Sequence, residues 1–189
     1  GRAGFGEADA RNVLALMREY GISARLTFSN SLLREEHLSD KKCNELCRLF
    51  STKSFSAGNF TTDSVLSEND CDRTSTKAPI QNGVIIHSDL LAAYIRKNYP
   101  SLYLVSSTTK VLTDFDDFES ELKREDFLYV VPDFRLNKKF DRLTVLDQGQ
   151  KDKTEFLCNE CCNFACTDRK ACYENVSRLN LGEDLPPHK

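Results

Sequence analysis

Apolar residues recur along this chain with two alternating periods, and the alternation predicts its architecture. Over 7–20, Val13, Leu16, Met17 and Tyr20 fall at i, i+3, i+4 and i+7, the stripe of an amphipathic helix, and Gly21 is the expected stop. A short run over 24–28 suits a strand and ends in the polar Ser29-Asn30-Ser31. Asp40 is a good N-cap for a second helix, on which Cys43, Leu46, Cys47 and Phe50 form one apolar face. Between 51 and 82 the period is lost and Ser, Thr, Asn and Asp dominate, which predicts an exposed insertion or mobile loop. Order resumes with Gly83-Val84-Ile85-Ile86-His87, apolar enough for a strand buried on both faces.

From there strands and helices alternate. Ser88 or Asp89 caps a helix with the stripe Leu90, Leu91, Tyr94 and Ile95, closed by Pro100. Leu102-Tyr103-Leu104-Val105 is a third strand, ending in Ser106-Ser107-Thr108-Thr109-Lys110. Thr113 or Asp114 caps a helix with Phe115, Phe118 and Leu122 inward; 127–131 is a fourth strand, followed by Pro132-Asp133. A helix over 137–146 buries Phe140 and Leu143, and a fifth strand over 154–157 runs into a cysteine-dense loop. Strands alternating with helices of about ten residues predict the α/β class, with parallel strands and crossover helices. Five strands in 189 residues fit a partial (β/α) barrel, since a complete one needs about 250 residues. The alternative is an open parallel α/β sheet. No glycine-rich phosphate loop follows any strand, so a dinucleotide fold has little support.

Parallel strands have a functional corollary. All strand-to-helix loops lie at one edge of the sheet, where ligands bind in barrels and in open α/β sheets alike. That edge collects Asn30, His87, Ser107, Lys110, Asp133, Asn159 and Glu160. Ser88, Asp89 and Thr113 are better explained as helix caps, and His87 as a packed histidine. Lys110, Asp133, Asn159 and Glu160 are harder to assign to caps; a lysine and two carboxylates on one edge can bind a polar substrate or exchange protons with it if burial shifts their pKa values.

Composition narrows the classes. The chain is 40% hydrophobic and 29% charged, with a formal net charge of -3 and no strongly basic segment, so charge does not indicate a nucleic-acid partner. No apolar run approaches the roughly 20 residues that span a bilayer, and no signal-peptide pattern opens the chain, which predicts no membrane partner and a cytoplasmic location. In that setting cysteines stay thiols or bind metal rather than forming disulfides. The length predicts one α/β domain over 1–189; the start at Gly1, with Met17 the only methionine, predicts a fragment of a longer barrel or a processed product.

Five of the eight cysteines lie in the last stretch: Cys158, Cys161, Cys162, Cys166 and Cys172. Several thiolates converging in one loop repel each other unless a cation or iron–sulfur cluster neutralises them. Cys162, Cys166 and Cys172 are the expected metal ligands, with Cys158 as a fourth and Cys161 as a bystander. Their spacing matches neither the bacterial ferredoxin run nor the two-knuckle zinc pattern, so an iron–sulfur cluster and a structural zinc both stand. Cys43 and Cys47 read as small core residues and Cys71 as a free surface thiol.

Arg25-Leu26-Thr27-Phe28-Ser29-Asn30, with Leu32-Leu33 and His37-Leu38, resembles the R-x-T-F-[ST]-N … L-L … H-L stretch of an uncharacterised family from anaerobic bacteria. The similarity continues through Ser106-Ser107-Thr108-Thr109-Lys110 and Asp133-Phe134-Arg135-Leu136-Asn137 to Leu157, Asn159-Glu160, Cys162, Cys166, Arg169 and Tyr173. That family is distantly similar to the collagenase-like peptidases of unknown catalytic type, a β/α-barrel group. Some relatives are oxygen-independent hydroxylases of RNA or quinones carrying a cysteine-ligated iron–sulfur cluster. The chain departs at Cys172, where a histidine is expected before Tyr173, and at Cys158, where an apolar residue is usual. The resemblance implies a metal-binding barrel enzyme acting on a polar small molecule or peptide by redox or metal-assisted hydrolytic chemistry. Lys110, Asp133 and Glu160 would be catalytic, and Asn30, Asn137, Asn159 and Arg169 would bind substrate. The competing expectations are a non-catalytic α/β protein pinned by zinc, and a peptidase-like hydrolase by analogy of fold.

Overall fold

The structure is a computed structural model, describing residues 6–52, 80–160, 162–164 and 166–185. Among these residues, four parallel strands form one sheet in the order of the chain: β1 (Arg25–Phe28), β2 (Gly83–Ile86), β3 (Tyr103–Ser106) and β4 (Tyr129–Val130). Seven α-helices accompany them: α1 (Glu7–Glu19), α2 (Lys41–Ser51), α3 (Asp89–Asn98), α4 (Phe115–Leu122), α5 (Phe140–Leu143), α6 (Gln148–Lys153) and α7 (Arg169–Asn180). The fold is therefore mixed α/β on an all-parallel sheet. No helix among the described residues is long and apolar enough to cross a membrane.

Register separates the two faces of the sheet. Leu26, Val84 and Leu104 are neighbours across β1 to β3, and Phe28, Ile86, Ser106 and Val130 across all four strands. This face carries the core, joined by Leu91, Ala92 and Ile95 of α3 and Phe115, Phe118 and Leu122 of α4. Three of the helices that cover the sheet start where a short polar side chain satisfies a free backbone N–H. Asp40 accepts from Cys43, Ser88 from Leu91, and Asp114 from Asp116 and Asp117.

The opposite face begins with Arg25, Gly83, Tyr103 and Tyr129. The Arg25 guanidinium donates to both oxygens of Glu155 (2.7 and 2.6 Å) and to the Tyr103 hydroxyl (2.8 Å), and lies over the Tyr103 and Tyr129 rings. Gly83 makes room for this cluster, since a Cβ there would stand 2.3 Å from the Tyr103 ring.

Four expectations are corrected. The fifth strand over 154–157 is reduced to one parallel bridge, Val130 with Thr154. Beyond it the Leu157 carbonyl accepts from the Asn137 side chain (2.7 Å) instead of a neighbouring strand. The helix over 137–146 shrinks to the single turn of α5, leaving Phe140 exposed, while α6 follows behind an Asp147–Gln150 capping box. In α1 the buried residues are Ala10 and Leu14, one turn apart, and Val13, Leu16 and Tyr20 face solvent, because α1 packs on α2 through the Ala10–Leu14 face. In α2 Cys47 is buried as expected, but Cys43 is exposed. The expected insertion at 51–82 falls mostly outside the described residues, as does Cys71. Its last residue is firmly built in, with Asn82 accepting from the Ala24 N–H and donating to the Phe50 carbonyl (both 3.0 Å).

Candidate functional site

The carboxyl ends of β3 and β4 place two loops side by side, and the cysteine loop meets them. Asp133 follows β4 and caps a single 3-10 turn (Phe134–Leu136), accepting from the Arg135 N–H (3.0 Å). The same carboxylate takes the Arg135 Nε at 2.6 Å and stands 3.1 Å from the Arg169 Nε. That second contact is an ion pair without hydrogen-bond alignment. Arg169, the first residue of α7, reaches Glu160 Oε2 (2.5 Å) and Thr108 Oγ1 (3.3 Å) with Nη2. Its guanidinium lies over the Phe134 ring (4.8 Å) and the Tyr173 ring (5.0 Å).

Burial gives this cluster its weight. Asp133 is 0% exposed and Arg169 only 1%. Two arginines face two carboxylates, so the group is charge-balanced, and breaking a buried pair of this kind is strongly destabilising. Arg135 is held above its ordinary pKa mainly by its hydrogen bond to Asp133. Arg169 Nη1 is buried without a partner among the described residues, so the guanidinium is not fully satisfied.

The cysteine loop is attached to the cluster at two points. Glu160 Oε1 accepts from the Cys162 N–H (3.2 Å), and Arg135 Nη1 donates to the Cys166 carbonyl (3.0 Å). Cys172 sits in the first turn of α7, its N–H bonded to the Asp168 carbonyl (2.8 Å). Burial pushes the Cys172 thiol up, and the nearby Cys166 and Cys162 push it further. Cys158 is exposed, and Cys161 lies outside the described residues. Among the described residues no three His, Cys, Asp or Glu side chains are already gathered as a metal cage.

Of the polar residues expected at the mouth, Asp133, Glu160 and Arg169 meet, and the others do not join them. Lys110 turns toward the helices, where its ammonium bonds Glu121 (2.6 Å) and lies over the Phe127 ring. Glu121 in turn accepts from Ser106 Oγ (2.6 Å), so Lys110 belongs to a largely buried ion network. Asn30 ties the β1 loop to α7: its Nδ2 donates to the Ser177 carbonyl (3.0 Å) and its Oδ1 accepts from the Leu32 N–H (2.8 Å). Asn137 holds Leu157, and its buried Oδ1 has no partner among the described residues. Asn159 is exposed. His87 packs against Thr109, with Nδ1 3.0 Å from Oγ1.

Arg135, Thr108, Phe134 and Tyr173 belong to the cluster, although the sequence reading, which quoted them among the resemblance motifs, gave them no site role. The signal was present in Asp133-Phe134-Arg135, where a carboxylate that caps a turn stands two residues before a cation. Comparisons with protein-family models, with curated proteins and with solved structures found no match.

Proposed function

We propose that this chain is a metal-binding β/α protein whose cysteine loop holds an iron–sulfur cluster at the carboxyl edge of a partial barrel. One observation carries the reading: Cys162 and Cys166 are tied through their backbone to Glu160 and Arg135 of the Asp133–Arg169–Glu160 network, and Cys172 stands in the first turn of the helix that Arg169 begins. Three neighbouring thiols fit a soft metal, and metal binding would draw them from adjacency into coordination. Cys158, exposed on the same loop, is the available fourth ligand. Such a cluster would supply one-electron redox chemistry or a Lewis-acidic iron.

The chain's own residues have a division of labour. Asp133, Arg135, Arg169 and Glu160 neutralise one another and brace the loop through the Cys162 amide and the Cys166 carbonyl. The substrate side is the same edge, where a polar small molecule or peptide would meet Asn159 and the outer face of Glu160. The sequential strand order, continued by the Thr154 bridge, favours a barrel. A doubly wound sheet reverses its order at a switch point, and no reversal occurs among these strands.

A structural zinc is the second reading, favoured by the way Asp133 and Glu160 are both consumed by arginines rather than left for proton transfer. Anaerobic purification with metal analysis separates the two. Stoichiometric iron with broad absorbance near about 400 nm is expected for the cluster. One zinc, stable in air, would replace that reading with the structural one. Loss of metal on Cys166→Ser is expected under both, and its retention would remove the loop as a metal site.

A further inference from the structure

Away from the cysteine loop, a cavity of about 480 Å³ opens at the carboxyl end of β1, between β1, α2 and α3. Its volume lies in the usual range for small-molecule sites, about 300–1,000 Å³. Its lining contains no Asp, Glu, Lys or Arg, in a chain with 29% charged residues. A cavity of similar size, about 510 Å³ between α1 and α2, is instead lined by Glu7, Arg11, Arg18, Glu45 and Arg48. The first is apolar by construction, with Phe28, Leu33, Leu38, Leu91 and Ile95 as walls.

Half of its lining residues are uncharged and polar, and several of these are already committed. Asn44 accepts from the Tyr94 and Tyr99 hydroxyls (2.8 and 2.7 Å) and donates to the Leu38 and Asp40 carbonyls (2.9 and 2.8 Å). Asn30 is committed to Ser177 and Leu32. Cys43 and Cys47 stand one turn apart on α2, Cys43 exposed at the rim and Cys47 buried, where burial pushes its thiol up to about 12. His37 accepts the Arg34 N–H at Nδ1 (2.9 Å), which in the neutral ring puts the hydrogen on Nε2 and leaves that atom a donor.

We propose that this cavity binds a small uncharged molecule, aromatic or branched aliphatic, whose single hydrogen-bond acceptor is met by His37. A charged ligand would lose its hydration with no counter-charge in the lining to replace it. This site shares only Asn30 with the residues expected at the metal edge, so it stands or falls independently of the metal.

The test is titration of the full chain with 2-naphthol, followed by ligand fluorescence, against 2-naphthoate as the charged form of the same ring. Saturable naphthol binding is expected, with naphthoate at least tenfold weaker. Two plugging variants, Leu38→Trp and Cys43→Trp, should each weaken naphthol binding tenfold or more. Cys43 is exposed at the rim, so its variant keeps the fold and carries the test if Leu38→Trp unfolds, as thermal melts will show. Absence of saturable binding, equal binding of the two probes, or unchanged binding in a folded Cys43→Trp variant would each overturn the proposal.

Discussion

Arg169 Nε stands 3.1 Å from Asp133 Oδ2, and neither side chain reaches solvent. The contact joins the first turn of α7 to the loop after β4 across 36 residues of chain. Glu160, Cys158, Cys162 and Cys166 belong to that intervening stretch, and Cys172 follows on α7 itself. The loop is tied to the ion pair through Glu160, the Cys162 N–H and the Cys166 carbonyl.

Removing one partner should cost far more than removing both. Arg169→Met leaves Asp133 buried beside Arg135 alone, and Asp133→Asn leaves Arg169 with Glu160 alone. Each should lower stability by about 3–5 kcal/mol, the usual cost of an uncompensated buried charge. The double variant should fall clearly short of the sum, because no lone charge remains in the pair. Urea unfolding of the four proteins measures the coupling; strict additivity would mean the pair carries no interaction.

Lys110 makes a second, different case. Its ammonium is spent on Glu121, with Ser106 and Arg124 completing the network. Lys110→Met should therefore destabilise the chain by roughly 3 kcal/mol, since Glu121 keeps its burial and loses its nearest cation. A variant as stable as the parent would point to a functional lysine instead of a structural one.

His87 gives the chain a pH dependence of known sign. Burial, and then the Lys110 charge, hold its imidazole below the ordinary value of 6.5; Lys170 adds to this and Asp89 opposes it. Its folded pKa is depressed, so the unfolded chain takes up the proton first as pH falls. Stability is full above about 6.5 and is lost as pH drops toward the folded pKa. His87→Gln should flatten the stability–pH curve in that window, and NMR titration of the ring should show the lowered midpoint.

The sequence carried the strands more clearly than the helix faces. Val84-Ile85-Ile86 and Leu104-Val105 are apolar runs bounded by caps, and pairing in register was their natural outcome. In α1 two stripes fit helical spacing, Val13, Leu16 and Tyr20 on one side and Ala10 and Leu14 on the other, and the packing of α1 on α2 buries the second. The meeting of Asp133, Glu160 and Arg169 at one edge was legible because parallel strands send their loops the same way. Their mutual neutralisation was not, since it depends on side-chain direction, and neither was the turn of Lys110 toward α4. The Asp147–Gln150 box is the sequence signal that starts α6.

Val111 is the one described non-glycine residue with positive φ, at 55°, where it closes the turn that carries Thr108 and Lys110. A β-branched side chain is costly in that region, whereas asparagine enters it readily. Val111→Asn should raise stability by about 1 kcal/mol, seen as a higher thermal midpoint. A fall would show that contacts of the valine outweigh its backbone strain.

Gly83 is the tightest point of the sheet. A Cβ at this position would sit 2.3 Å from the Tyr103 ring, which is itself held by the Arg25 guanidinium, the Ser23 hydroxyl and the edge of Tyr129. The ring cannot move without giving up those contacts, and the strand cannot move without breaking register with β1 and β3. Gly83→Ala should therefore cost about 1–3 kcal/mol, as overpacking usually does. In a Tyr103→Ala background the obstacle is gone, and the same substitution should become nearly neutral or slightly stabilising, since alanine suits a strand better than glycine. Thermal unfolding of the four proteins reads this directly. An equal penalty in both backgrounds would place the strain in the backbone of β2 and not against the ring.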